Sequence, residues 1–155
     1  MRNKLFFVPL LFVATFTACT PTNSGSQSKN TSEEYETITR LSIPLERFFE
    51  QEEEEYLVFC HSDTCSQCKE IIGDVVAFAN DNFIKTYFLD VAVSTNKITK
   101  VAKAELTVGV TDVAGLVYAG TPTIFKVVNK TTTVNIPGKD DCLTFLNEIR
   151  KNSKN

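Results

Sequence analysis

The order of apolar patterns in this sequence predicts an α/β fold with a mixed central sheet flanked by helices, on three observations. Tyr56 to Cys60 is a continuous apolar run, the pattern of a strand buried on both faces. Cys65 to Asn82 follows, with Ile71, Ile72, Val75, Val76 and Ala79 at helical spacing. Thr123 to Val128 and Thr131 to Ile136 meet at Asn129-Lys130 as the arms of a hairpin do, ahead of a closing amphipathic stretch. The 155 residues, 43% of them hydrophobic, are one domain's worth of chain with enough apolar side chains for a core. A formal net charge of -3 and no Lys/Arg-dense stretch leave no electrostatic footprint for nucleic acid, so no such partner is expected.

Taken in order, the chain starts as an address. Arg2 and Lys4 precede Leu5 to Ala18, an uncharged and mostly apolar run too short to cross roughly 30 Å of hydrocarbon. A charged start, a short apolar run and small residues describe a secretory signal over residues 1–18. Phe16-Thr17-Ala18-Cys19 resembles the bacterial lipobox, with Phe16 where Leu is usual, and the resemblance implies lipidation at Cys19. Removing residues 1–18 leaves 14 basic and 19 acidic side chains, a net charge of -5. Attachment to a bacterial membrane, outside the cytoplasm, is then expected through lipid rather than through basic charge. Residues 19–32 are polar and rich in Thr, Ser, Asn and Gly, a flexible tether by composition.

The folded domain is expected over residues 33–155. Tyr35 to Leu41 alternates loosely and contains Thr and Ile, which predicts a strand. Ser42 before Ile43-Pro44-Leu45 and Phe48-Phe49 predicts an N-capped short helix. Glu52 to Glu55 reads as a solvated helix end or loop. After the buried strand comes the helix of Cys65 to Asn82, where Gly73 permits a bend. Thr86 to Val93 predicts another buried strand, Asn96 to Tyr118 a helical or irregular crossover, and Asp140 to Lys151 the final helix.

Chemistry concentrates at Cys65-Ser66-Gln67-Cys68, where a strand meets a helix. Unpaired N–H groups and the dipole at a helix start favour thiolate, so Cys65 is the expected nucleophile. Cys68, three residues on, is placed to resolve a mixed disulfide formed by the first sulfur. His61, when protonated, would lower the pKa of Cys65 from nearby, with Asp63 opposing it; the plainer reading is a solvent-exposed loop histidine.

With Tyr56-Leu57-Val58-Phe59 before the motif, His61-Ser62-Asp63-Thr64 leading into it, Lys69 after it and Gly120-Thr121-Pro122-Thr123 before the hairpin, the chain resembles the thioredoxin-like superfamily over nearly its whole folded part, in a secreted bacterial form. The resemblance implies a thioredoxin-like fold, a cis bond before Pro122, and a substrate groove shaped by Thr121 and Pro122. It implies exchange with protein thiols or disulfides of exported proteins, a separate redox partner, and no bound cofactor. The sequence departs from the family at Ser66-Gln67, which matches neither the Gly-Pro nor the Pro-His of better-known members, at Thr64, where an aromatic is usual, and at Leu57-Val58, where no buried acid stands.

Cys60 and Cys142 are left over, either a structural disulfide or, by preference for Cys60, a core thiol that behaves as a small hydrophobe. Two other functions compete with thiol-disulfide exchange. Cys60, His61, Cys65 and Cys68 are four soft ligands within nine residues, a candidate zinc or copper site, although neighbouring residues on a strand point to opposite faces. The other is a non-catalytic thioredoxin-like binding module, against which the retained dithiol counts.

Overall fold

The computed structural model describes residues 31–153. The signal segment, Cys19 and the tether up to residue 30 lie outside them. Among the described residues no helix is long and apolar enough to cross a membrane.

The first element corrects the sequence reading. Thr31–Leu41 is a helix, α1, and not a strand from Tyr35, and it begins two residues ahead of the expected domain start. Its inward side chains explain why: Glu34, Thr37, Ile38 and Leu41 are the buried or half-buried ones, at i, i+3, i+4 and i+7. Glu33 and Glu34 in the first turn and Arg40 in the last complement the helix dipole. The β-branched residues that mimic a strand are outvoted by this stripe.

Ser42 does not cap the next helix. Its Oγ donates to the Ile38 carbonyl at 2.7 Å, closing α1, and its backbone bridges to Phe88. The following turn is a single 3-10 turn, Leu45–Arg47, whose Leu45 N–H donates to Asn96 Oδ1 at 2.9 Å. The cap thus comes from a residue 51 positions away. The acidic run is a loop over residues 52–54 that leads into a strand at Glu55, and it is pinned to the domain: Glu53 accepts a hydrogen bond from the Tyr87 hydroxyl at 2.7 Å, and Glu55 pairs with Lys126.

The central sheet contains β1 (Glu55–His61), β2 (Lys85–Asp90), β5 (Thr123–Val128) and β6 (Thr131–Pro137) in the order β2-β1-β5-β6. β1 runs parallel to β2 and antiparallel to β5, so the sheet is mixed. The β5–β6 hairpin turns at Asn129 and Lys130, both at positive φ, the geometry whose twist matches the flanking strands. Between β2 and β5 the crossover is irregular: two 3-10 turns and a pair of two-residue parallel strands, β3 (Thr99–Lys100) and β4 (Val117–Tyr118).

Alternation along β1 divides the core. Leu57 and Phe59 join one cluster, covered by α1, by α2 (Ser66–Asp81) and by α3 (Lys139–Asn152), with Ile71, Val75, Phe78 and Leu146. Tyr56, Val58 and Cys60 join the other, with Phe48, Leu89, Leu116 and Phe125, roofed by the 3-10 turn and the irregular crossover. The three described helices therefore pack on one face. α2 runs through Gly73 without a break; a Cβ there would lie 3.1 Å from the Glu34 carboxylate, the far end of a side chain on α1.

Candidate active site

β1 delivers the chain to the site. It ends at His61, and a tight turn follows in which the Cys65 N–H donates to the Ser62 carbonyl at 3.0 Å. Ser62 Oγ stiffens that turn, lying 3.0 Å from Thr64 Oγ1 and accepting the Thr64 N–H at 3.3 Å. Cys65 is therefore the extended residue just before α2, and its carbonyl accepts the Lys69 N–H at 3.2 Å as the helix begins.

From this position Cys65 Sγ accepts the Cys68 N–H at 3.1 Å. A main-chain donor at a helix start, aimed at sulfur, stabilises thiolate over thiol. The Cα atoms of Cys65 and Cys68 are 5.2 Å apart, within the range a disulfide bridges, and the two sulfurs are at bonding distance. Their exposures differ: Cys65 is partly open to solvent, whereas Cys68 lies under the first turn at 3% exposure. Of the two sulfurs, the first is therefore the more reachable from solvent.

Opposite Cys65 stands the start of β5. The Thr121–Pro122 peptide bond is cis, and the Thr121 carbonyl oxygen lies 3.4 Å from Cys65 Sγ. Two bonds hold this corner: Thr123 Oγ1 donates to the Gly120 carbonyl at 2.6 Å, and the Gly138 N–H donates to the Pro122 carbonyl at 2.8 Å. Gly138, at φ +94°, adopts a conformation that L side chains rarely take, and Gly120 does the same at φ +141°. Beside the corner a groove of about 510 Å³ runs past Gln67, Gly120, Thr121, Gly138 and Lys139. Its cations are matched on the spot, Lys103 by Asp141 at 2.8 Å and Lys139 by Glu70 at 2.6 Å. Lys103 and Asp141, 38 residues apart, carry no signal in the sequence that would place them together here.

His61 is not an exposed loop histidine. It is the last residue of β1, 8% exposed, stacked on Phe59 with ring centres 5.9 Å apart and edge-on to Phe88. Its Nε2 is buried and has no hydrogen-bond partner among the described residues. Burial lowers its pKa below the usual 6.5 against the opposing pull of Asp90 and Asp63, so the imidazole is neutral at neutral pH. A neutral ring lends no positive charge to Cys65, which leaves thiolate stabilisation to the Cys68 N–H and the start of α2. His61 and Cys68 both line a cavity of about 320 Å³ behind the motif, together with Ser62, Asp63, Lys69 and Asp90.

Cys60 and Cys142 are free and buried. Burial pushes the Cys60 thiol far up, and pushes Cys142 up to about 12. The four soft ligands of the motif region do not converge: Cys60 points into the cluster under the crossover, while His61 stacks in the layer beneath the helices. Among the described residues no group of three or more His, Cys, Asp or Glu side chains is arranged to hold a metal ion.

No model of a known protein family matches the chain, and no curated protein sequence does. Solved structures do. The J-Trx1 fragment of ERdj5 superimposes with a TM-score of 0.50 at 12% identity, over 79% of this chain and 56% of that one. Thioredoxin f2 from Chlamydomonas reinhardtii aligns with a TM-score of 0.48 at 17% identity, over 70% of this chain and 94% of that one. A mutant thioredoxin from Halobacterium salinarum aligns at 0.49 and 16% identity, over 72% of this chain and 88% of that one.

Proposed function

From a chain with the thioredoxin fold and a Cys65–Cys68 pair at disulfide distance, we propose an extracytoplasmic, membrane-anchored thiol-disulfide oxidoreductase that exchanges disulfides with exported proteins. One observation carries the reading: the reachable sulfur of Cys65 accepts the Cys68 N–H at the start of α2, with the second sulfur shielded behind it. That asymmetry supports the following order of steps. Cys65 attacks a client disulfide and forms a mixed disulfide; Cys68 then attacks Cys65, closing the intramolecular bond and releasing the client thiol. Run backwards, the same steps donate a disulfide.

Thr121 and Pro122 are the proposed client contacts. Thr121 presents its carbonyl 3.4 Å from the Cys65 sulfur, beside the groove of about 510 Å³. The anchor rests on sequence: Arg2 and Lys4, the apolar run to Ala18, and Cys19 behind small residues. The test is reduction of insulin by the reduced domain. Wild type is active and Cys65→Ser is not; equal activity in the two overturns the assignment. Titration of the dithiol against a glutathione series then gives the direction, a potential near that of thioredoxin meaning reductase and a far more oxidising one meaning disulfide donor. Mass spectrometry of the mature N-terminus checks the anchor: lipid on Cys19 supports it, and an unmodified Cys19 refutes it.

A further inference from the structure

The resolving step leaves a proton to be moved, and Cys68 lies where water reaches it poorly, at 3% exposure. Deprotonating a thiol in such a place calls for an acceptor close by, because burial disfavours the charged sulfur. β1 carries no acid beyond its first residue, Glu55. The nearby acids, Asp63 in the turn and Asp90 at the end of β2, face the same cavity, as do Lys69 and Cys68 on α2 and Tyr35 on α1. Within this set His61 differs, as a side chain more than nine-tenths buried with a polar atom that bonds to nothing among the described residues.

We infer that His61 Nε2 is the proton acceptor for Cys68 during resolution of the mixed disulfide, acting across the cavity the two residues share. The inference rests on the exchange reaction proposed above and adds a residue to it. In the step, the Cys68 S–H bond breaks and its proton passes to neutral His61, directly or by way of a cavity water. The sulfur's electron pair forms the Cys65–Cys68 bond while the bond from Cys65 to the client sulfur breaks. The client sulfur leaves with that electron pair and takes up the proton, from the imidazolium or from solvent. The client is reduced to a thiol, the dithiol is oxidised to a disulfide, and His61 ends neutral. In the opposite direction the imidazolium protonates Cys68 as it leaves.

Neutrality of His61 near pH 7 suits an acceptor, and burial supplies it. Of the charged groups lining the cavity, Asp90 and Asp63 favour an imidazolium once formed, while the Lys69 ammonium opposes it.

The experiment loads reduced protein with an aromatic disulfide that releases a coloured thiol. The first release reports attack by Cys65 and the second reports resolution by Cys68. His61→Phe keeps an aromatic ring for stacking on Phe59, and His61→Ala opens space for free imidazole. The expected result is a first release at the wild-type rate in both variants and a second release slowed by about 100-fold. The wild-type second release falls as pH drops through the folded pKa of His61, which burial holds below 6.5; the variants lose that inflection, and imidazole restores His61→Ala. Second release at the wild-type rate in both variants overturns the role of His61 and leaves the exchange function standing. Slowing that imidazole does not restore, or that spares His61→Phe, marks a packing role and overturns it too. A wild type that gives no second release refutes the exchange function itself, and the proton acceptor with it.

Discussion

At the scale of single residues, four buried or half-buried cysteines are sorted by their surroundings. Cys65 has a main-chain donor and solvent access, Cys68 sits beneath it, and Cys60 and Cys142 lie in apolar layers that keep them protonated. Alkylating the reduced native domain near pH 8 is accordingly expected to modify Cys65 first and to leave Cys60 and Cys142 untouched until denaturant is added, as peptide mapping would show. His61 gives a pH prediction whose sign follows from burial. Its folded pKa lies below 6.5, so the unfolded chain binds the proton more readily; stability holds above pH 6.5 and declines as pH falls through the folded value. Urea midpoints should therefore drop on acidification below 6.5, and His61→Phe should flatten that part of the curve. Tyr56 works in the opposite sense: burial, with the Glu53 charge, pushes its pKa up to about 12, and its hydroxyl donates to the Phe48 carbonyl at 2.7 Å. Tyr56→Phe leaves that buried carbonyl without its donor, a loss of ~1–2 kcal/mol in urea unfolding.

At the scale of elements, the proposed working part of the molecule is the strand-to-helix junction of β1 and α2, and the junction is legible in the sequence because both elements announce themselves. Tyr56 to Cys60 is apolar without a break, and the Ile71 to Ala79 spacing is helical. α1 was not legible as a helix, because Thr37, Ile38 and Thr39 favour strands locally and only packing against α2 and β2 selects the helical stripe. The Asn96 cap was invisible for a related reason: its partner at Leu45 is adjacent only in the folded chain. Asn96 also donates to the Asp90 carbonyl at 2.9 Å, so Asn96→Ala breaks two bonds at once and should cost ~2 kcal/mol, read as a lowered thermal midpoint. Gly73→Ala sets two effects against each other. The helix gains ~1 kcal/mol from losing a glycine, while the new methyl meets only the far end of the flexible Glu34 side chain. The balance favours a small stabilisation, and a destabilised Gly73→Ala would show that α1 cannot yield there.

At the scale of the whole molecule, β1 is central in the sheet, with β2 on one side, β5 on the other and an apolar layer on each face. That arrangement fixes the Cys65 end of β1 against the Thr121–Pro122 corner of β5, since β1 and β5 pair from Glu55–Val128 to Cys60–Thr123. Sequence pattern pointed to the mixed sheet and the hairpin; the covering of one sheet face by the helices and of the other by irregular chain depends on long-range packing that no periodicity records. Phe125 anchors that second face, edge-on to Phe48 with ring centres 5.4 Å apart. Phe125→Ala should cost ~3–5 kcal/mol and loosen the crossover, with faster amide exchange around Leu116. The central claim, that Cys65 is the sulfur that meets the client and Cys68 the one that releases it, is tested most directly by reacting reduced Cys68→Ser protein with a disulfide-bonded peptide and locating the adduct by mass spectrometry. A single stable peptide adduct on Cys65 is the predicted result, and no adduct, or one on Cys60 or Cys142, would contradict it.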